Sequence, residues 1–221
     1  MKVCTDACIQ GAFTAAYLHA GGRQVQRMLD IGTGTGLLSL MLAQQVPADI
    51  TGIELDAAAA AQAGENFKAS PWAERLKVTQ SDIRDLPATA LYDFIITNPP
   101  FYEGSLKSSD AARNSAMHAT NLSYQALLQA IDVHLQKDAE CAVLLPYAAF
   151  QIFGELAAAN GFYPVQILEV KQSVRHDYFR AVGIFGRTAV TPTISSLAIY
   201  DERNIYTPAF TDLLKPYYLY L

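Results

Sequence analysis

Short apolar runs and longer segments with a helical period alternate through most of the chain. Short apolar runs bounded by polar or turn-forming residues predict strands, and apolar residues three to four positions apart predict helices. The predicted strands are Arg27–Ile31, Ile50–Glu54, Leu76–Thr79, Leu91–Thr97 and Cys141–Leu145. The predicted helices are Thr5–His19, Leu37–Gln45, Asp56–Lys68, Tyr124–Leu135 and Ala148–Asn160, with Thr5–Asp6 and Asp56 as N-terminal caps. This alternation predicts a parallel sheet with helices on both faces.

The last quarter of the chain has a different pattern. Two apolar runs, Val165–Val170 and Ala181–Phe185, are separated by a polar, basic segment without a helical period. We therefore expect them to pair as antiparallel strands. Leu197–Tyr200 predicts an extra short strand, and Phe210–Leu214 with the tyrosine-rich tail predicts a terminal helix. These short elements, within residues 195–221, complete a single expected domain that covers residues 1–221.

The composition argues against several classes of protein. The chain has 221 residues, of which 51% are hydrophobic, which is enough for a sizeable core. No uninterrupted apolar run reaches the ~18–20 residues of a membrane span, and Asp6 and Gln10 interrupt any signal-peptide core. The cysteines, Cys4, Cys8 and Cys141, lack the spacing of a disulfide framework or a zinc site. We expect reduced thiols, no metal and a cytoplasmic location.

The formal net charge of −5 bears on nucleic-acid binding. Broad, non-specific binding depends on many contacts from lysine and arginine to phosphates, and this charge argues against it. A local basic patch is compatible with it, because the field near a site depends on the nearest charges.

A glycine-rich segment, Asp30–Gly36, joins the first predicted strand to a helix. Glycines let the backbone approach a ligand, and a helix N-terminus offers unpaired N–H groups. Leu37 stands where the dinucleotide fingerprint requires its third glycine. The spacing instead resembles the S-adenosylmethionine (SAM) loop of class I methyltransferases, with Gly32, Gly34, Gly36 and Asp30 as binding residues. The alternative is a plain strand–helix turn.

Two acids follow the next two strands in the order that such a cofactor site needs. Glu54 ends the second strand, where a carboxylate can accept both ribose hydroxyl hydrogens. Asp82 ends the third strand, and in methyltransferases this aspartate accepts from the adenine amine while the next N–H, here that of Ile83, contacts the ring. An ordinary turn is the alternative role for Asp82. Asp56 is better explained as a helix cap than as a ligand.

The stretch Thr97–Phe101 ends a core strand with an amide, two prolines and a ring. Asn98, Pro99, Pro100 and Phe101 match the (Asp/Asn/Ser)-Pro-Pro-(Tyr/Phe/Trp) motif of methyltransferases that modify amines attached to planar systems. Such an amine is a poor nucleophile because its lone pair is delocalised. The Asn98 oxygen and the Pro99 carbonyl can each accept one amine hydrogen and aim the lone pair, while Phe101 stacks on the ring. The alternative is a strand-ending turn without chemistry.

Further segments resemble one methyltransferase family. Lys2–Ala7 is similar to the K-V-G-T-D-G motif of bacterial tRNA1(Val) adenine-N6 methyltransferases, as are Ser70–Arg75 and the tail around Tyr206–Thr207 and Tyr217–Leu219. The resemblance spans the whole chain. It implies SAM-dependent methylation of N6 of the adenosine 3′ of the anticodon, at position 37. It also implies a Rossmann-like class I fold, with a mostly parallel seven-stranded sheet, one antiparallel strand and helices on both faces.

The resemblance also assigns the N-terminal segment. In the family, the Lys-Val-x-Thr-Asp stretch lies over the cofactor, which implies contacts from Thr5 and Asp6 near the methionine part of SAM. Helix capping is the alternative role for both residues. Cys4 and Ala7 replace family glycines, which restricts the backbone of this segment. Met117 stands where the family often has arginine, which weakens one RNA contact.

Basic residues in two segments form a candidate RNA surface. If both segments flank the cleft, they can contact phosphates around a flipped base. The candidates are Lys107, Arg113, Lys171, Arg175 and Arg180. The alternative is a set of scattered, solvated charges. We expect a monomer that acts on the anticodon region of tRNA, without a membrane or a metal partner.

Methyltransferases that act on other substrates have the same kind of turn. The Asn-Pro-Pro motif also occurs in enzymes that methylate the glutamine side chains of release factors or the exocyclic amine of guanine in rRNA. Those enzymes usually carry an extra recognition domain, for which this chain has little room. A third alternative is a SAM-fold RNA-binding protein without activity, and the intact turn at Asn98–Phe101 argues against it.

Overall fold

The computed structural model describes residues 4–22, 24–89, 91–99 and 122–220. Within these ranges, eight strands form one sheet with the order β3-β2-β1-β4-β5-β7-β6-β8. The strands are β1 (Arg27–Ile31), β2 (Asp49–Glu54), β3 (Leu76–Gln80), β4 (Tyr92–Thr97), β5 (Leu135–Pro146), β6 (Tyr163–Ser173), β7 (Tyr178–Gly186) and β8 (Thr193–Tyr200). Strand β7 is antiparallel to both its neighbours, and the other pairs are parallel.

The predicted strands are confirmed, and several are longer than predicted, above all β5, which begins at Leu135 rather than at Cys141. The antiparallel pair forms as expected between β6 and β7. The extra short strand is longer than predicted and pairs with β6, so it becomes the eighth strand of the same sheet. The α/β architecture with a mostly parallel sheet is therefore confirmed.

The helices of the described residues lie close to their predicted bounds. They are α1 (Thr5–Ala20), α2 (Leu37–Gln45), α3 (Ala57–Ala69), α4 (Tyr124–His134), α5 (Tyr147–Ala159) and α6 (Pro208–Leu214), with 3-10 turns at Ala73–Arg75 and Ile83–Asp85. Asp56 caps α3, because its side chain accepts from the Ala59 N–H at 2.8 Å. The capping role predicted for Thr5 and Asp6 is wrong. Cys4 is the residue before α1 with an extended backbone, and Thr5 and Asp6 lie in the first turn.

The central strands of the sheet are buried on both faces. Helices α1, α2, α3 and α6 pack on one face, with Met28 and Phe94 beneath them. Helices α4 and α5 pack on the other face, over Leu29 and Ile95. Successive residues of a strand point to opposite faces, so a strand covered on both sides must be a continuous apolar run. None of the helices in the described ranges is long and apolar enough to cross a membrane.

The strand directions bring two regions to one edge of the sheet. Strands β1 to β5 are mutually parallel, so their carboxyl ends share an edge. Strand β6 is antiparallel to β7, which is antiparallel to β5, so β6 ends at that same edge. The turn between β6 and β7, in the basic segment, therefore lies along the edge at which ligands bind in open α/β sheets.

Candidate cofactor and substrate cleft

A cleft of about 810 Å³ opens at the carboxyl ends of β1 to β4. This volume is within the ~300–1,000 Å³ that is common for small-molecule sites. Its lining comes from residues 31–35, 37–38, 53–57, 80–83 and 97–99, with Leu122, with Ala7 of α1 and with Cys4, which directly precedes that helix. We call it the strand-end cleft. It brings together the glycine loop, Glu54, the Asp82–Ile83 turn and Asn98, which are far apart in the sequence.

The glycine loop needs the conformational freedom of its residues. Gly32, Gly34 and Gly36 have positive φ angles of 72°, 57° and 87°, in the region that strongly favours glycine. Gly32 and Gly34 line the strand-end cleft, whereas Gly36 does not. A Cβ atom on Gly36 would lie 2.4 Å from Cε1 of Phe67. The contacts of Gly36 therefore support close packing of α2 against α3, and its direct binding of cofactor stays a prediction.

Asp30 lies beneath the loop and is fully buried. Its Oδ2 accepts hydrogen bonds from Thr33 Oγ1 at 2.6 Å and from Ser39 Oγ at 2.7 Å. Burial raises the pKa of Asp30 to about 6, and the nearby charge of Glu54 acts in the same direction. Asp30 does not line the strand-end cleft. Its contacts support a role in holding the loop, and direct cofactor binding stays a prediction.

Glu54 is held at the cleft by two backbone groups. Its Oε2 accepts from the Gly34 N–H at 2.8 Å, and its Oε1 accepts from the Asp56 N–H at 2.9 Å. An ionised carboxylate offers about four acceptor positions, so both oxygens can still accept further hydrogen bonds. The arrangement fixes an anionic acceptor at the end of β2, where a ribose would place its hydroxyls.

Asp82 is engaged by a neighbour that the sequence analysis did not assign. Arg84 Nε lies 2.9 Å from Asp82 Oδ1, and Arg84 Nη2 lies 2.5 Å from Oδ2. The carboxylate also accepts from the Arg84 N–H at 2.9 Å, and these bonds hold its pKa below the ordinary value. Asp82 thus has the turn-forming role given as its alternative, while also lining the strand-end cleft. An adenine amine there would share this carboxylate with Arg84.

Ile83 lines the cleft from a buried position, with His134 of α4 behind it. Burial lowers the pKa of His134, and a hydrogen bond to the Ile83 backbone opposes that effect. This support has no signal in the sequence, because nothing near a histidine at the end of an amphipathic helix indicates that it reaches a turn 51 residues earlier.

Asn98 brings an unpaired acceptor to the cleft. Its Oδ1 atom is buried and has no hydrogen-bond partner among the described residues. Buried polar atoms are normally paired, so an orphaned acceptor in a ligand cleft marks a place for a donor. Asn98 and Pro99 both line the strand-end cleft. Pro100 and Phe101 lie outside the described residues, and their roles stay predictions.

The first turn of α1 and the residue before it reach the strand-end cleft through residues other than those predicted to bind cofactor. Cys4 and Ala7 line it, whereas Thr5 and Asp6 do not. Cys4 has φ −113° and ψ 133°, which any residue adopts, so glycine is not needed there. Asp6 Oδ2 instead accepts from Arg180 Nε at 2.8 Å. For Thr5 and Asp6, cofactor contact stays a prediction without support from these contacts.

The basic residues that are predicted to bind RNA differ in the contacts they make with the rest of the protein. Arg180 is paired with Asp6 and mostly buried, so it is poorly placed for a phosphate. Lys171 Nζ lies 4.4 Å from the centroid of the Tyr178 ring. Arg175 is exposed and makes a loose ion pair with Glu202 at 3.9 Å. Both Lys171 and Arg175 belong to the segment at the cleft edge of the sheet. Lys107 and Arg113 lie outside the described residues.

Comparisons with known proteins place the chain among methyltransferases. The methyltransferase small domain family matches residues 14–129. A tRNA1(Val) (adenine(37)-N6)-methyltransferase from Dyadobacter fermentans is 38% identical over 99% of this chain and 91% of the relative. The enzyme of the same name from Pectobacterium carotovorum is 37% identical over 100% of this chain and 88% of the relative.

Solved structures show the same fold at low identity. A structure from Agrobacterium tumefaciens, described as that of a predicted O-methyltransferase, has a TM-score of 0.69 at 16% identity and covers 97% of each chain. The glycopeptide N-methyltransferase MtfA in complex with SAM has a TM-score of 0.57 at 13% identity, covering 80% of this chain and 94% of that one. These likenesses establish a class I methyltransferase fold.

Proposed function

We infer that this chain, which belongs to the family of tRNA1(Val) (adenine(37)-N6)-methyltransferases, methylates N6 of adenosine 37 in tRNA1(Val) with SAM as cofactor. The observation that carries this inference at the level of the site is the buried, unpaired Oδ1 of Asn98 in a cleft built on a glycine loop. The names of the relatives favour tRNA over the glutamine and guanine amines that the same motif serves.

The residues of the strand-end cleft fit SAM. We propose that the loop at residues 32–34 lies against the cofactor, that Glu54 accepts from its ribose hydroxyls and that Asp82 and Ile83 receive its adenine. The cleft has the volume and the acceptors for these parts, and the loop presents backbone rather than side chains. SAM supplies the methyl group, which is bonded to a positively charged sulfur.

The chain's own contribution to the reaction is orientation of the amine. Asn98 Oδ1 and the Pro99 carbonyl each accept one hydrogen of the exocyclic amine, which localises its lone pair and directs it into the cleft. Two acceptors held on a stiff turn are complementary to the positive charge that develops on nitrogen, so they act mainly in the transition state. Phe101 is proposed to stack on the adenine. No histidine is assigned as a base, because the amine needs no deprotonation before transfer.

The substrate is proposed to lie across the cleft edge of the sheet. Lys171 and Arg175 are proposed to contact phosphates from the β6–β7 side, with Lys107 and Arg113 as further candidates. The net charge of −5 requires this footprint to be small. A monomer acting on tRNA in the cytoplasm fits these features.

The function is tested on tRNA from cells with and without the gene. Digestion and mass spectrometry should find N6-methyladenosine at position 37 of tRNA1(Val) only when the gene is present. Purified protein with labelled SAM should methylate that tRNA and leave rRNA and release factor unlabelled. Unchanged methylation at position 37, or transfer to another of these substrates, would contradict the proposal.

A further inference from the structure

Gln10 connects the first helix to the amine-binding turn. It lies in the second turn of α1 and is fully buried. Its Nε2 donates a hydrogen bond of 2.8 Å to the backbone carbonyl of Thr97, which is 87 residues away in the chain. Thr97 directly precedes Asn98, so the accepting carbonyl belongs to the peptide group that leads into the turn.

Holding this carbonyl fixes the direction in which Asn98 leaves the strand. The atoms of the Thr97–Asn98 peptide lie in one plane, so a bond to the carbonyl oxygen restrains the Asn98 nitrogen and Cα as well. On the other side, Thr97 Oγ1 donates to the Ile31 carbonyl at 2.9 Å, which ties the same residue to β1. The peptide is thus held between α1 and the strand that carries the glycine loop.

The Gln10 side chain is costly where it lies. Its Oε1 is buried and has no partner among the described residues. An unpaired buried acceptor is destabilising, and α1 also buries the apolar side chains of Ile9 and Phe13 here. An apolar residue of similar size would remove this unpaired oxygen, but it would also leave the Thr97 carbonyl without this donor, so we assign the function of the amide to the bond that its N–H makes.

We propose that Gln10 is a positioning residue for methyl transfer: it holds the Thr97–Asn98 peptide so that the two acceptors of the turn meet the amine. This proposal rests on the proposed function. It deepens that function, because it adds a residue outside the motif that determines the geometry of the acceptors. Misplacement of a reacting group by 1 Å can cost about 100-fold in rate, so even a partial shift of the turn should be measurable.

The test replaces the amide and compares it with a matched position. Gln10→Met keeps the length of the side chain and removes the donor. Thr14, one turn further along α1, is also fully buried, and its Oγ1 has no partner among the described residues. Thr14→Val therefore changes a buried polar group on the same helix without removing a described hydrogen bond. Single-turnover methylation of tRNA1(Val), SAM affinity, tRNA affinity and melting temperature are measured for each variant.

We expect Gln10→Met to lower the single-turnover rate by about tenfold or more, with both affinities within about twofold of the wild type. Thr14→Val should keep the wild-type rate. The same Gln10→Met change is then made in an Asn98→Ala background. Residues that act as a unit are non-additive, so the second loss should be less than about twofold. A purely structural effect would instead multiply the two losses and lower the melting temperature.

Two results would overturn the proposal. One is a single-turnover rate for Gln10→Met within about twofold of the wild type, and the other is an equal loss in both backgrounds. If Gln10→Met does not fold, Gln10→Leu replaces it in the same cycle. If the wild-type chain leaves tRNA unmethylated, the proposed function fails and the positioning role fails with it. If the wild type and Gln10→Met are equally active, only the positioning role fails.

Discussion

Replacing Glu54 by glutamine tests the cofactor site most directly, because it keeps the side chain's volume and removes its charge. In the wild type, one carboxylate oxygen accepts from the Gly34 N–H and the other from the Asp56 N–H. A glutamine offers one oxygen and one amino group, and the amino group cannot accept a hydrogen bond. Glu54→Gln must therefore lose one of these two bonds, as well as the charge that would strengthen bonds from the ribose.

The expected change in SAM affinity follows from the ribose hydroxyl bond that the amino group of glutamine cannot accept. Hydrogen bonds to charged groups contribute about 1.5–3 kcal/mol, and Glu54 is only half-buried, so solvent screening favours the lower part of this range. A loss of about 1.5–2 kcal/mol corresponds to a SAM dissociation constant raised by about 10- to 30-fold, at 1.4 kcal/mol for each factor of ten. Isothermal titration calorimetry with SAM measures this change directly.

The control is Glu65→Gln, on the exposed side of α3. It removes the same charge from a residue that does not line the strand-end cleft, so its SAM affinity should stay within about twofold of the wild type. Unchanged SAM affinity in a folded Glu54→Gln variant would refute the assignment of Glu54 to the ribose. Equal losses in the two variants would mean that net charge, rather than the position of the carboxylate, determines affinity.

Three further changes test other parts of the site. Asn98→Ala should keep SAM and tRNA affinity and lower the single-turnover rate by about 100-fold, the scale of one lost transition-state contact; a near-normal rate would exclude its role. Asp30 has a pKa of about 6 when folded and ~3.9 when unfolded, so its stabilising effect is complete below about pH 4 and is lost as the pH rises through 6. In denaturant titrations, the free energy of unfolding of the wild type should therefore fall by about 2–3 kcal/mol between these pH values, relative to that of Asp30→Asn; identical pH profiles would contradict this. Lys171→Gln and Arg175→Gln should each reduce the log–log salt slope of tRNA binding by about 1, whereas Lys68→Gln, at the far end of α3, should not, and a uniform effect would indicate general charge.

Local sequence patterns were sufficient to predict most strands and helices and the main parts of the strand-end cleft. Continuous apolar runs predicted the buried strands because both faces of the sheet are covered. The carboxyl ends of parallel strands share an edge, so Glu54, Asp82 and Asn98 could be expected to converge before any coordinates were known. The pairing of β8 with β6 had no such signal, since an edge strand at the end of a chain can join the sheet or pack elsewhere.

The supports of the site could not be predicted, because they depend on contacts between distant residues. Gln10 and Thr97 are separated by 87 residues, and Asp6 and Arg180 by 174. Nothing in the sequence near Arg180 distinguishes a buried ion pair from a phosphate contact. The position of Asp30 before the glycines predicts a cofactor-binding residue, but no local pattern predicts that its side chain lies under the loop, where Thr33 and Ser39 donate to it.

These distant contacts give α1 a central place in the site. Its first turn lines the strand-end cleft through Ala7, its Asp6 is bonded to Arg180 on β7, and its Gln10 is bonded to the peptide before Asn98. The strand-end cleft, the turn at Asn98 and the strand beside the basic segment therefore all contact one helix. A rigid helix keeps the spacing of its side chains constant. Helix α1 can thus hold these three regions at fixed distances, although it contains none of the motif residues 98–101.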